Sequence, residues 1–246
     1  MTIQSTADIR GLQRIGQIVA ATVTAMKAAM KPGMTTAELD KIGRRVLESY
    51  GARPAPEFFY GYPGATCISI NEEVAHAIPG KRIIRAGDLV NIDVSAELDG
   101  YVADTGASFP VGEASPLIHA LCAATQEALC ASIAVAKAGN RMAEVQEAID
   151  GVAQKHGFTV IRNLSGHGIG RHLHEAPNHV PDFARGKDQR RFQKGSVLTI
   201  EPFLSTGPRI AQETSDGWTL VTKPGHFTAQ YEHTLIITDG EALIIT

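Results

Sequence analysis

The sequence predicts an α+β fold built from a duplicated helix–helix–strand unit with approximate two-fold symmetry. Two observations carry this. Helical and β-like periodicities follow one another in the same order in both halves of the chain. In addition, Lys31-x-Gly33-x-x-x-Ala37-Glu38 followed by Gly51 recurs as Lys137-x-Gly139-x-x-x-Ala143-Glu144 followed by Gly157, every match at one constant offset. Glycine after a helix is common capping chemistry, but an unchanging offset across so many residues favours duplication.

In chain order, Ile9, Leu12, Ile15, Val19, Val23, Met26 and Met30 recur at steps of three and four, the spacing of a helix over 7–31. Lys31-Pro32-Gly33 ends it. Thr35-Thr36-Ala37-Glu38 reads as a capping box opening a second helix that stops at Gly51. Residues 52–65, rich in proline, glycine and aromatics, read as a loop. Strands are expected at about 66–70 and 89–95, the latter joined through Asp99-Gly100 to another at 101–108. In the second half, Ser115-Pro116 opens a helix to about Ala138, Asn140 caps another that stops at Gly157, and strands follow near 158–163, 197–203, 219–222, 227–237 and 242–246.

At 246 residues the chain has room for one large domain or two fused halves. A net charge of −3 gives no bulk electrostatic case for nucleic acid or an anionic membrane. Cys67, Cys122 and Cys130 are an odd set without C-x-x-C spacing, so neither a disulfide framework nor a zinc ribbon follows. The N-terminal segment lacks the basic, apolar and cleavage regions of a signal peptide, and the apolar run Ile18 to Met30 is too short to span a bilayer. A reducing cytoplasm is expected.

The chemistry lies in acids placed inside apolar strands. If Asp99-Gly100 is a two-residue turn, Leu98 faces Tyr101, and Asp93 and Asp104 leave the same face of the ribbon at a diagonal offset of two. Two carboxylates so placed repel unless a proton or cation sits between them. A lone strand aspartate would read as a turn cap or an arginine partner; two on one face point to metal. Glu201 ends Ser196-Val197-Leu198-Thr199-Ile200, and Glu232 interrupts a β-like run from Phe227 to Thr238. Ser165-Gly166-His167-Gly168-Ile169-Gly170 sets His167 between glycines that let the backbone approach a bound group. It lacks the dinucleotide fingerprint and the P-loop lysine. His172 and His174 alternate like a strand, with nothing nearby to complete a tetrahedral zinc set. Asp93, Asp104, His167, Glu201 and Glu232 together form an oxygen-heavy set suited to two divalent ions, which about 3.5–4 Å apart can share carboxylates, activate a water and polarise a carbonyl.

Asn91-Ile92-Asp93-Val94, Gly166-His167-Gly168-Ile169-Gly170, Thr199-Ile200-Glu201-Pro202 and Ala229-Gln230-Tyr231-Glu232-His233-Thr234 resemble the signature segments of type I methionine aminopeptidases of the M24 metallopeptidase family. His76, in Asn71-Glu72-Glu73-Val74-Ala75-His76, fits the same family; read alone it is a satisfied loop histidine. The resemblance runs nearly the whole chain and implies the pita-bread fold, with a curved antiparallel sheet and a single catalytic domain over 1–246 whose pseudo-symmetric halves cover about 7–113 and 115–246. It implies that Asp93 chelates one ion, that Asp104 and Glu232 bridge both, and that His167 and Glu201 complete the other. The two ions would be Co, Mn, Fe or Zn. Glu201 would also handle the proton of a bridging water or hydroxide, His174 would contact the scissile amide, and His76 would position the substrate N-terminus. His119, His156, His179, His226 and His233 read as surface or structural histidines, His233 facing away from the metals.

The implied reaction is release of N-terminal methionine from nascent proteins and peptides with a small second residue. Phe59, Tyr62, Cys67 and Trp218 match substrate-pocket positions; read alone, Cys67 is a buried strand thiol and Trp218 a core aromatic. A Cys67–His76 nucleophile pair lacks an evident third group to orient the histidine. Phe59 stands where tyrosine is usual, Leu173 where phenylalanine is usual, Pro56 where cysteine is often found, and Tyr60 replaces a common histidine, which reshapes an apolar pocket. The expected partners are peptide or nascent-protein N-termini, with a transient ribosome contact, no nucleic-acid specificity, no membrane and a monomeric state. Two alternatives are a pita-bread peptidase acting on X-Pro peptides and a non-catalytic relative that binds a protein or nucleic acid.

Overall fold

The computed structural model describes residues 1–183 and 188–246. Its α+β character is as predicted. Helix α1 (Thr6–Ala29) opens on a capping box between Ser5 and Asp8, and α2 (Thr36–Ser49) on the predicted box between Thr35 and Glu38. Each such cap satisfies otherwise orphaned N–H groups and contributes about 1 kcal/mol. Both helices pack their apolar faces on a sheet in which β4 (Leu89–Leu98) is central. Along one edge β4 pairs with β1 (Arg53–Pro54) and β2 (Cys67–Ile70), and along the other with β5 (Tyr101–Pro110), all antiparallel. Asp99 and Gly100 both have positive φ, as a tight hairpin turn requires, and Leu98 pairs with Tyr101. The predicted loop at 52–65 holds β1 and the one-and-a-half-turn helix α3 (Ala55–Tyr60), which ends on left-handed Gly61. Proline near the start of α3 is compatible with its first turn, where no intrahelical N–H donor is needed. Strand β3 (Glu73–Ala75) follows.

The second half begins with α4 (Pro116–Val135), capped by Ser115 as predicted, and α5 (Ala143–His156). With 20 residues and a mean hydropathy of 1.4, α4 is long and apolar enough to cross a membrane by length and composition, a longer stretch than the Ile18–Met30 run. Here its Ile118, Leu121, Ala124, Ala128 and Leu129 are buried in the core with α5 and the second group of strands. Asn140 does not cap α5. Its side-chain amide donates to the carbonyl of Val135, closing the end of α4, while Glu144 accepts from the Arg141 N–H at the start of α5.

The remaining strands are short: β6 (Thr159–Val160), β7 (Gly166–Gly168), β8 (Glu175–Val180), β9 (Val197–Ile200), β10 (Phe203–Ser205), β11 (Gln212–Glu213), β12 (Leu220–Val221), β13 (Thr228–Gln230), β14 (His233–Ile236) and β15 (Leu243–Ile244). They form a sheet β15-β14-β9-β7-β8 and two three-stranded sheets, β13-β10-β6 and β11-β12-β3. The runs predicted at 197–203 and 227–237 are each two strands, and both breaks fall at a glutamate: Glu201 between β9 and β10, Glu232 between β13 and β14. The two halves meet where β5 lies against this break. Thr234 Oγ accepts from the Asp104 N–H at 2.9 Å and donates to its carbonyl at 2.8 Å. Thr105 Oγ donates to the carbonyl of Glu232, whose N–H donates to Gly106.

Candidate metal centre

The hairpin register places Ser95 opposite Asp104 and Asp93 opposite Gly106, so the two aspartates share one face at the predicted diagonal offset. Burial raises Asp93 to about 6. Asp104 is pushed well up, first by burial and then by Glu232 and Asp93. Glu201 and Glu232 reach the same point from the other half and are also raised well above the usual carboxylate range, chiefly by burial.

His167 comes from β7. The flanking glycines are needed for close approach: a Cβ at Gly166 would stand 2.8 Å from the Thr199 carbonyl carbon, and one at Gly168 2.6 Å from that of Ala176. The imidazole Nδ1 lies 3.0 Å from the Gly168 carbonyl. A carbonyl only accepts, so Nδ1 carries the proton and Nε2 presents a lone pair. That Nε2 lies 3.9 Å from Asp104 Oδ2 and 3.8 Å from Glu201 Oε1. Burial lowers the ring to about 3, so it is neutral. Asp104 Oδ1 and Glu232 Oε1 are buried without any hydrogen-bond partner, and donor atoms of Asp104, His167 and Glu232 lie within 4.8 Å of one another. Among the described residues no lysine or arginine lines the cavity. A lone pair and orphaned carboxylate oxygens converging in a dry site repel one another unless a cation joins them, so the donor set fits a divalent metal.

Behind the acids lies a buried amide relay. Asn91 Nδ2 donates to Gln230 Oε1 at 2.8 Å, which turns Gln230 Nε2 toward Glu232 Oε2 at 3.0 Å. One glutamate oxygen is thereby held, and the other is the orphan.

The cluster opens into a cavity of about 220 Å³. Tyr62, Cys67, Leu173, Phe203 and Trp218 form its apolar wall, and His76 and His174 stand beside it. Tyr62 is 2% exposed, donates to the Ala77 carbonyl at 2.7 Å and meets Trp218 edge-to-face at 5.2 Å. Burial pushes the Cys67 thiol well up, the opposite of an activated nucleophile. His76 has φ 56, a left-handed conformation at the end of β3, and burial, then His174, lowers it to about 4. His174 has an edge open to solvent, but burial by the cleft walls lowers it too.

Phe59 is not among the residues lining the cavity. Its ring packs behind Leu173 in a small core with Leu12, Ala55 and Ile169, and Tyr60 and Pro56 face the cavity instead. His179, read as a bystander, lies on the rim with Ser165, its Nδ1 3.2 Å from the hydroxyl. Ser165 immediately precedes Gly166-His167, which was the only sequence signal for that rim. His233 does turn away, its Nδ1 bonded to the hydroxyl of Thr246.

Residues 10–239 match Metallopeptidase family M24. The chain is 46% identical to methionine aminopeptidase 2 of Bacillus subtilis, over 100% of this chain and 99% of that protein. Among solved structures, a methionine aminopeptidase from Thermotoga maritima superimposes with a TM-score of 0.94 at 34% identity, covering 100% of this chain and 99% of that one. Prolidase from Pyrococcus furiosus shares the fold at a TM-score of 0.80 and 22% identity, and the chain spans 65% of its length. The architecture common to these proteins is the pita-bread fold.

Proposed function

The chain belongs to metallopeptidase family M24, and from that premise we propose that it removes methionine from the N-termini of nascent proteins and peptides whose second residue is small. The observation that carries this reading is the pair of orphaned buried oxygens, Asp104 Oδ1 and Glu232 Oε1, facing the His167 lone pair beside an apolar cavity. Full-length similarity to a protein named methionine aminopeptidase supports the substrate.

Divalent metal use follows from the family. Two ions would be held by five residues, Asp93 serving one, His167 and Glu201 the other, and Asp104 and Glu232 both. Co, Mn, Fe and Zn all suit these ligands, and cellular availability decides among them. When bound, such ions supply Lewis acidity, polarising the scissile carbonyl and lowering the pKa of water. The chain's own residues do the rest. Glu201 Oε1 takes a proton from the attacking water and delivers it to the leaving nitrogen as the C–N bond breaks. His174, which lines the cavity, would contact the scissile amide, and His76 would position the substrate N-terminus and the peptide bond. Tyr62, Cys67, Leu173 and Trp218 exclude water from the thioether side chain, and Phe59 acts through Leu173.

We read residues 1–246 as one catalytic domain with halves over about 7–113 and 115–246, working as a cytoplasmic monomer in transient contact with the ribosome. The order helix, helix, strand in each half supports the duplication.

Methionine release from Met-Ala-Ser by metal-stripped protein, before and after Mn²⁺ or Co²⁺, tests the function, with Ala-Pro and Leu-Ala-Ser alongside. Metal-dependent release of methionine alone is expected. Cleavage of Ala-Pro in its place would move the substrate to X-Pro peptides, and no cleavage by folded protein would favour a binding role.

A further inference from the structure

We propose that Tyr60 is a positioning residue: its hydroxyl donates to His174 Nδ1 and so presents the Nε2–H of His174 to the substrate carbonyl. This rests on the reading of His174 given above. The Tyr60 hydroxyl lies 2.7 Å from His174 Nδ1 and the ring centroids are 5.6 Å apart. On its other side the His174 ring packs on His167 at 4.2 Å. Among the described residues, Nδ1 has this one partner, and Nε2 has none.

The mount is rigid. Tyr60 ends α3, where Gly61 turns the chain so that Tyr62 enters the pocket wall. The helix is tied to α2 by Arg44–Glu57 at 2.7 Å and continues from β1, which pairs with the strand carrying Asp93. The hydroxyl is thus referenced to the acids themselves.

Direction follows from chemistry. A phenol O–H is a stronger donor than a neutral imidazole N–H, and an imidazole nitrogen is a stronger acceptor than a phenol oxygen. The 2.7 Å separation is typical of an O–H donor. The nitrogen that is not engaged then bears the remaining proton. The reverse arrangement would leave two lone pairs, those of His167 and His174, beside four carboxylates and an incoming carbonyl oxygen. The two neighbouring imidazoles, tilted against each other by 46°, are therefore set in opposite tautomers by different partners. The Gly168 carbonyl makes His167 an acceptor toward the acids, and the Tyr60 hydroxyl makes His174 a donor toward the substrate. A donor aimed at charge that develops on the carbonyl oxygen stabilises the transition state more than the ground state.

The test is Tyr60→Phe, which keeps the ring and deletes the donor. Turnover of Met-Ala-Ser should fall about 10–100-fold in kcat with KM little changed. Long-range ¹H–¹⁵N spectra of metal-free and Zn²⁺-loaded protein should show His174 as the Nε2–H tautomer, and as a mixture in the variant. In a His174→Ala background the same substitution should cost nothing further. Unchanged kcat, an Nδ1–H tautomer in the unsubstituted protein, or a loss that persists without His174 would each overturn the proposal. Absence of methionine release by the unsubstituted protein would instead overturn the proposed function, and the tautomer spectra would still decide the role of Tyr60.

Discussion

Gln230 lies against the bare Cα of Gly106: a Cβ there would stand 2.7 Å from its Nε2 and closer still to its Oε1. The amide that orients Glu232 thus depends on a missing side chain on the neighbouring strand. Gly106→Ala should dislodge Gln230 from both Asn91 and Glu232, lowering Mn²⁺ affinity more than about tenfold and stability by about 2–4 kcal/mol. Isothermal titration and thermal unfolding measure the two effects; unchanged affinity would show that the relay does not hold Glu232.

Stability of the metal-free protein should fall as pH rises from about 7 to 9. The four buried carboxyls have folded pKa values above their unfolded ones. Between those values the unfolded chain has lost protons that the folded chain still holds, and above about pH 6.5 the buried neutral His76, His167, His174 and His233 no longer oppose this, so each further rise in pH favours unfolding. A Tm difference of at least about 5 °C is expected, and saturating Zn²⁺ should abolish or invert it by replacing protons with the ion. A metal-free Tm that is flat or rises across this range would contradict the repulsive cluster.

Asp104→Asn should separate stability from function. It removes charge from the most crowded point of the cluster, so the metal-free protein should melt no lower than before. Metal-induced stabilisation and methionine release should both be lost. Retained turnover would sink the proposed ligand set.

Cys67→Ser should retain most activity, and the unsubstituted protein should resist iodoacetamide at neutral pH, because the thiol is buried and protonated. Loss of all activity, with rapid alkylation, would revive a Cys67 nucleophile.

Leu173→Ala should lose about 2–4 kcal/mol of stability, since its side chain is 4% exposed and backs onto Phe59. It should also narrow the kcat/KM preference for methionine over leucine at the first position. An unaltered ratio would show that Leu173 does not set the pocket.

Much of this was legible in the sequence because the signals were local. Asp99-Gly100 announces the hairpin, and its register alone puts Asp93 and Asp104 on one face. Ser115-Pro116 and the Thr35 box marked helix starts through backbone groups within a turn. What escaped was set by distant packing. Helix α3 is too short to show a period, and its prolines imitate a loop. Asn140 has cap chemistry, yet the carbonyl it found was Val135, behind it in the chain. Phe59 and Tyr60 are neighbours in a helix, and which of them faces the cavity depends on the rotation of α3 against β4. His179 reaches the rim only because β8 returns beside β7.

The Asn91–Gln230 bond joins residues 139 positions apart, and the acids around it come from both halves in the same way. Neither half alone presents more than a fragment of the ligand set, so a chain still emerging during synthesis has only Asp93 and Asp104 to offer an ion. Once both halves have docked, a metal held there acts as a staple across a very long loop, opposing their separation much as a cross-link would. The cation would then set the lifetime of the folded protein as well as its chemistry, and chelation should speed unfolding even where the equilibrium fold survives.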